Sequence, residues 1–82
     1  MIRNPSRKNI AGRRVAEGRQ RCRPVLTQDD LSGKLAGLGI QLDRSAIAKI
    51  ETNRRRVLDY ELKALAKALG VEVNWLLGDE KR

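Results

Sequence analysis

The chain has no histidine, one cysteine, two prolines and only two aromatic residues, Tyr60 and Trp75, in 82 positions. Each scarcity removes a class of function. Without histidine, the most frequent general base and the commonest metal ligand are both missing. A zinc site would have to be assembled from carboxylates, so no metal and no cofactor is expected. Cys22 alone cannot close an intrachain disulfide, which fits a reducing cytoplasm. Two aromatics cannot furnish the stacking platforms of single-strand or RNA-recognition modules. The core must therefore come from Leu, Ile, Val and Ala. No apolar run approaches the roughly 20 residues of a membrane span, and no secretory apolar segment follows the N-terminus. The first 23 residues hold a single acid, Glu17. That composition has a trace of a transit peptide, but signals of a folded domain begin inside it, so a basic arm leading into a basic helix is the better reading.

What is present is positive charge. There are 18 Lys and Arg against 10 Asp and Glu, a formal net charge of +8. Such an excess favours a polyanionic partner, nucleic acid first and an anionic membrane surface second. The length suits one domain with one core. An enzyme is a poor reading: there is no histidine, the one thiol stands among arginines in what is best taken as an inert helix position, and no spaced carboxylate pair marks a pocket.

The apolar spacing predicts helices throughout and no strand of useful length. Residues 1–8 read as a flexible basic arm and 79–82 as a polar tail, leaving 9–78 as the folded domain. The first helix is expected over Asn9 to Cys22, with Asn9 as N-cap, a stripe of Ile10/Ala11, Val15, Gly18 and Cys22, and Pro24 ending it. Thr27 and Asp30 form an aspartate version of a capping box for the second helix, which repeats Leu31, Leu35 and Leu38 and stops at Gly39. Gly33 and Gly37 weaken it by about 1 kcal/mol each and could allow close packing. Asp43 caps the third helix, Leu42 staples it, and Ala46, Ile47 and Ile50 form its inner face. Asn53 suits a left-handed exit, and Arg54, Arg55 and Arg56 follow as a run that cannot be buried. The fourth helix carries Leu58, Leu62, Leu65, Ala66 and Leu69, with Asp59 as cap and Gly70 as stop. A last turn, residues 73–77, carries Trp75 and Leu76 and ends at Gly78. The second and third helices lie close in sequence, and the third leaves Arg44, Ser45, Ala48 and Lys49 outward. A short amphipathic helix standing proud of a basic domain is a common reader of the DNA major groove.

In this order the segments resemble the phage repressor/Cro-type helix-turn-helix family, also called lambda-repressor-like or XRE. The resemblance rests on Thr27-Gln28 with Leu31, on residues 47–51 (Ile-Ala-Lys-Ile-Glu), on residues 62–71 (Leu-Lys-Ala-Leu-Ala-Lys-Ala-Leu-Gly-Val), and on residues 73–78 (Val-Asn-Trp-Leu-Leu-Gly). It covers roughly residues 9–78; no one motif is highly specific, but the four in sequence are. It implies an all-α, compact five-helix domain whose helix-turn-helix is the second and third helices. The chain departs from the family between Leu31 and Glu51, where it is several residues longer: either the second helix gains a turn or the connection through residues 39–42 is enlarged. The loop over residues 23–26 is also longer, and Asn53 replaces a usual glycine.

The resemblance assigns roles. A recognition helix over about 43–53 would enter the major groove of double-stranded DNA. Arg44 could take a guanine through O6 and N7, a contact that discriminates by roughly 1–3 kcal/mol. Ser45 would specify weakly, Ala48 could touch a thymine methyl, and Lys49 lies one turn on. The bland alternative for Arg44 and Lys49 is the solvated face of an amphipathic helix. Gln28 matches a phosphate-holding position, and the free N–H groups of a helix N-terminus favour an anion there; otherwise it is an ordinary first-turn residue. Thr52, Asn53, Arg54 and Arg55 are expected along the DNA backbone, against the alternative of a solvated charge run. Family members often pair a first-helix arginine with the glutamate ending the third helix: Arg19 with Glu51, with Arg14 as rival. Trp75 is read as core, and Val73, Leu76 and Leu77 as a candidate dimer edge. A chain of this length would dimerise through this terminal region or on DNA, across half-sites about 34 Å apart. The expected activity is a small cytoplasmic transcriptional repressor of phage or prophage type. The alternative is an antitoxin of the same fold that binds a protein partner as well as DNA.

Overall fold

The computed structural model describes residues 8–78, so most of the expected arm and the whole expected tail lie outside the described residues. Five helices follow one another: α1 (Gly12–Arg21), α2 (Gln28–Gly37), α3 (Arg44–Glu51), α4 (Asp59–Leu69) and α5 (Val73–Leu76). No strand occurs among the described residues. None of the described helices is long and apolar enough to cross a membrane.

All five helices contribute to one core. Val15, Leu31, Leu35, Ile47, Ile50, Leu65 and Leu76 are completely buried. α1 packs on α3, α4 and α5, and α2 on α3 and α4. The two helices of the expected helix-turn-helix, α2 and α3, are thus backed by the rest of the domain.

α2 begins as its sequence predicts. Thr27 Oγ1 accepts the Asp30 N–H at 3.0 Å, and the Asp30 carboxylate accepts the Thr27 N–H at 2.9 Å. These two bonds hold the Asp30 carboxyl below its ordinary range. Gly39, at φ 84°, turns the chain out of the helix, and the Ile40 N–H closes that turn on the Leu35 carbonyl at 2.9 Å. Residues 38–43 connect α2 to α3, and the buried Leu42 roots this connection in the core. The leucine stripe does not continue: Leu38 is 40 % exposed. Gly33 and Gly37 support no close packing, since a side chain at either would meet nothing within 4 Å.

α1 is shorter than its stripe implied. Ile10 lies outside it and is exposed, while Cys22 is already extended. Asn9 nevertheless closes the first turn, accepting the Gly12 N–H at 2.7 Å. The glycines packed closely are Gly12 and Gly18, both in α1.

At α4 two expectations fail. Asp59 is inside the helix rather than its cap, and Leu58 is exposed rather than part of the stripe. The capping acceptor is Glu61, whose carboxylate takes the Leu58 N–H at 3.0 Å. An acid three residues into the helix can reach back to the last free amide before it, whereas Asp59 is one residue too late. In α5 the completely buried side chain is Leu76, so it cannot form a dimer edge. Trp75 is half-buried, with the Arg14 and Arg21 guanidiniums 4.7 and 5.4 Å from its ring centroid. Both distances are within cation–π range.

Candidate nucleic-acid interface

α3 is an eight-residue helix whose two faces have separate tasks. Asp43 Oδ1 accepts the Ala46 N–H at 2.8 Å and starts it. Ile47 and Ile50 bury its inner face. On the outer face Arg44, Ser45 and Lys49 are exposed, and Ala48 is half-buried between them. Arg44 approaches Asp29 of α2 at 3.5 Å, with both side chains about two-thirds exposed. A surface pair of that kind contributes roughly 0–1 kcal/mol and gives way readily to a better partner.

The end of α3 is held from behind by one carboxylate. Arg19 Nε donates to Glu51 Oε2 at 2.8 Å and Arg19 Nη2 to Glu51 Oε1 at 3.0 Å. Arg19 Nη1 donates to the Leu26 carbonyl at 2.9 Å. The bond from Glu51 raises the guanidinium's already high pKa. Of the two arginines weighed for this place, Arg14 lies on Trp75 instead. The side chains of Arg19 and Glu51 are 13 % and 7 % exposed, so this is a desolvated fork rather than a surface pair.

Gln28 also turns to that carboxylate, Nε2 donating to Glu51 Oε1 at 3.0 Å. Its amide therefore ties the start of α2 to the end of α3, a contact the sequence reading did not anticipate. Glu51 collects one residue from α1 and one from α2.

The exit from α3 follows the predicted left-handed route. Asn53 has φ 63°, and the Arg54 N–H reaches back to the Lys49 carbonyl at 2.7 Å. Thr52 is exposed, but its hydroxyl donates to the Ala48 carbonyl at 2.9 Å. Arg54 and Arg56 are exposed. Arg55 corrects the expectation of a run that cannot be buried. Its guanidinium forks onto Glu61 at 2.9 and 3.1 Å, and Glu61 is only 5 % exposed. The Arg55 bond, with help from the Leu58 N–H, holds the Glu61 carboxyl below its usual range against the opposing effect of burial. Arg55 thus joins the α3–α4 connection to α4, and its side chain is occupied. A shallow basic hollow remains beside it, lined by Lys8, Arg54, Arg55, Arg56 and Leu58.

Sequence reasoning missed two residues here. Beyond closing the first turn of α1, Asn9 donates through its amide nitrogen to the carbonyls of Ile50 at 3.2 Å and Arg55 at 2.7 Å. Gly12 lies against the same Ile50 carbonyl, so closely that a Cβ there would sit inside its van der Waals shell. No local signal separates this glycine from Gly33. The pointer was Asn9 and Gly12 together, an amide at a turn three residues before a glycine that opens a helix.

An exposed short helix, set on a second helix and braced against a basic all-α domain, defines a helix-turn-helix DNA-binding domain. Residues 26–76 match the protein family described as helix-turn-helix. The chain belongs to that family, in its Cro/XRE branch, whose proteins are DNA-binding regulators of transcription. The match begins just before the Thr27 cap and ends at Leu76. Comparisons with curated proteins and with solved structures return no match.

Proposed function

We propose that this protein is a sequence-specific regulator of transcription, a small cytoplasmic repressor that sets α3 into the major groove of double-stranded DNA. The observation that carries this reading is the division within α3: Arg44, Ser45 and Lys49 are free of the core, while Glu51 is locked behind them by Arg19 and Gln28. Arg44 and Lys49 supply base contacts, Ser45 a weaker one, and Ala48 a small apolar surface for a thymine methyl. Phosphates meet the free N–H groups at the start of α2, the remaining hydrogen of the Gln28 amide, and Thr52, Asn53 and Arg54 along the exit. Arg55 contributes by holding that exit in place. A two-fold dimer on DNA uses Val73 and Leu77, Leu76 being committed to the core.

The test is titration of the purified protein against the DNA flanking its own gene and against random duplex, at several salt concentrations. Specific binding should weaken steeply with salt, each neutralised phosphate contributing a log–log slope of about −0.9. Combined Arg44→Ala and Lys49→Ala substitutions should erase the preference for the specific duplex. An unchanged preference would refute the recognition-helix assignment.

A second reading, an antitoxin that also binds a protein, draws support from one surface. Leu38, Ile40, Tyr60 and Ala64 form an apolar groove between the end of α2 and α4, edged by Lys63 and Lys67. Trp75 does not provide such a surface, because Arg14 and Arg21 lie over it. A toxin gene beside this one, and a stable complex of the two products that a Tyr60→Glu change abolishes, would favour this reading.

A further inference from the structure

We infer that Asn9 is a positioning residue that sets the pose of α3 for base reading; the inference rests on the DNA-reading assignment above. α3 is two turns long, about 12 Å, so a tilt of about 10° pivoting at its exit moves Arg44 at the other end by about 2 Å. The exit is pinned on one flank by Arg19 and Gln28 through Glu51. Asn9 pins the other flank. One amide hydrogen goes to the Ile50 carbonyl in the last turn, and one to the Arg55 carbonyl beyond the left-handed Asn53. The amide oxygen accepts the Gly12 N–H, so both donors and one of the oxygen's two lone pairs are used. The Lys8 N–H adds a backbone bond to the Asn53 carbonyl at 3.3 Å.

The chemistry is selective for asparagine. Two carbonyls and one N–H surround the group, which fixes the amide's orientation: nitrogen toward the carbonyls, oxygen toward Gly12. Aspartate keeps the acceptor but loses both donors and places negative charge against two carbonyl oxygens. Serine keeps a capping oxygen with no added charge but is too short to bridge both carbonyls. Both variants preserve the start of α1 while releasing residues 50–55. Asn9 itself touches no base in this scheme.

The experiment compares wild type, Asn9→Asp and Asn9→Ser in two readouts. The first is amide hydrogen exchange of the free protein, where the Asn53 and Arg54 amides should lose protection in both variants while those of α4 keep theirs. The second is the ratio of affinities for the preferred duplex and a scrambled one. Loss of two side-chain hydrogen bonds should lower that ratio about tenfold, with random-duplex binding by Asn9→Ser nearly unchanged. If either readout matches wild type in both variants, Asn9 does not position α3. A wild-type protein with no preference among duplexes would instead refute the DNA-reading assignment, while the exchange data would still report whether Asn9 anchors the exit.

Discussion

Replacing Gly12 by alanine should destabilise this protein, although the same change at Gly33 should stabilise it. In a helix, glycine costs about 1 kcal/mol relative to alanine. At Gly33 nothing lies within 4 Å of the added methyl, so Gly33→Ala should recover most of that figure. At Gly12 the methyl would overlap the Ile50 carbonyl oxygen, 3.0 Å from its carbon and 3.1 Å from Asn9 Oδ1. The two Ile50 atoms are backbone, and Asn9 Oδ1 is a side-chain atom held by the Gly12 N–H. Backbone has to shift, at an overpacking cost of about 1–3 kcal/mol. Disturbing the Asn9 bonds adds about 1 kcal/mol for each one lost. The net expectation is a loss of about 2–4 kcal/mol. For a domain of this size 1 kcal/mol moves the midpoint by about 4–8 °C, so Gly12→Ala should melt roughly 10 °C or more below wild type and Gly33→Ala about 4–8 °C above it. Gly18→Ala should fall between, near wild type, because its close neighbours, Leu69 Cδ1 at 3.3 Å and the Trp75 ring at 3.4 Å, are side-chain atoms that can give. Thermal unfolding followed by circular dichroism ranks the three. A Gly12→Ala protein that melts as high as Gly33→Ala would show that α1 does not pack its backbone on the end of α3.

Other substitutions test other joints. Glu51→Ala leaves the Arg19 guanidinium in a site where its side chain is 13 % exposed, and should cost about 3–5 kcal/mol in denaturant unfolding; Arg19→Lys, with Glu51 in place, should also destabilise, because an ammonium cannot fork onto both carboxylate oxygens. The Glu61 carboxyl is held below its ordinary range, so its contribution is complete above the pH at which an unfolded glutamate ionises and disappears as pH falls through the folded value. Denaturant unfolding at a series of acidic pH values should therefore show a steeper loss of stability for wild type than for Glu61→Gln, which has no such proton to take up. Leu76→Ala should cost about 2–5 kcal/mol and Leu77→Ala well under 1, since the first side chain is wholly buried and the second 40 % exposed.

The parts of this fold that could be read in sequence are those encoded within three or four residues. The Thr27–Asp30 box, the Asp43 cap and the Asn53 exit depend on neighbours along the chain, and all three are formed. Spacing alone picked out Leu31, Leu35, Ile47 and Ile50, which are buried, but also Leu38, which is exposed, and Ala46, which is half-buried. Contacts between distant segments were less legible. Arg55 stood in a run of three arginines, and nothing nearby marked Glu61, six residues on, as its counter-charge. Asn9 carries an evident capping signal, but its amide hydrogens go 41 and 46 residues away. Gly12 and Gly33 are alike in composition terms and opposite in environment. Leu76 and Leu77 belong to a helical turn too short for periodicity to say which faces inward. Arg19 and Arg14 were both plausible partners for Glu51 because the longer 23–26 loop shifts the register that spacing would otherwise fix.

The brace around Glu51 separates inheritance from novelty. Among the described residues, the contacts that hold α3 involve its inner face, its cap or its exit, whereas the side chains at 44, 45 and 49 are tied to the body by nothing stronger than the loose Arg44–Asp29 approach. Their side chains can be exchanged with little stability at stake. On the proposed reading of DNA by α3, a lineage drifts to new operators by changing three surface letters, and a laboratory library randomised at Arg44, Ser45 and Lys49 should yield mostly folded proteins with altered reading.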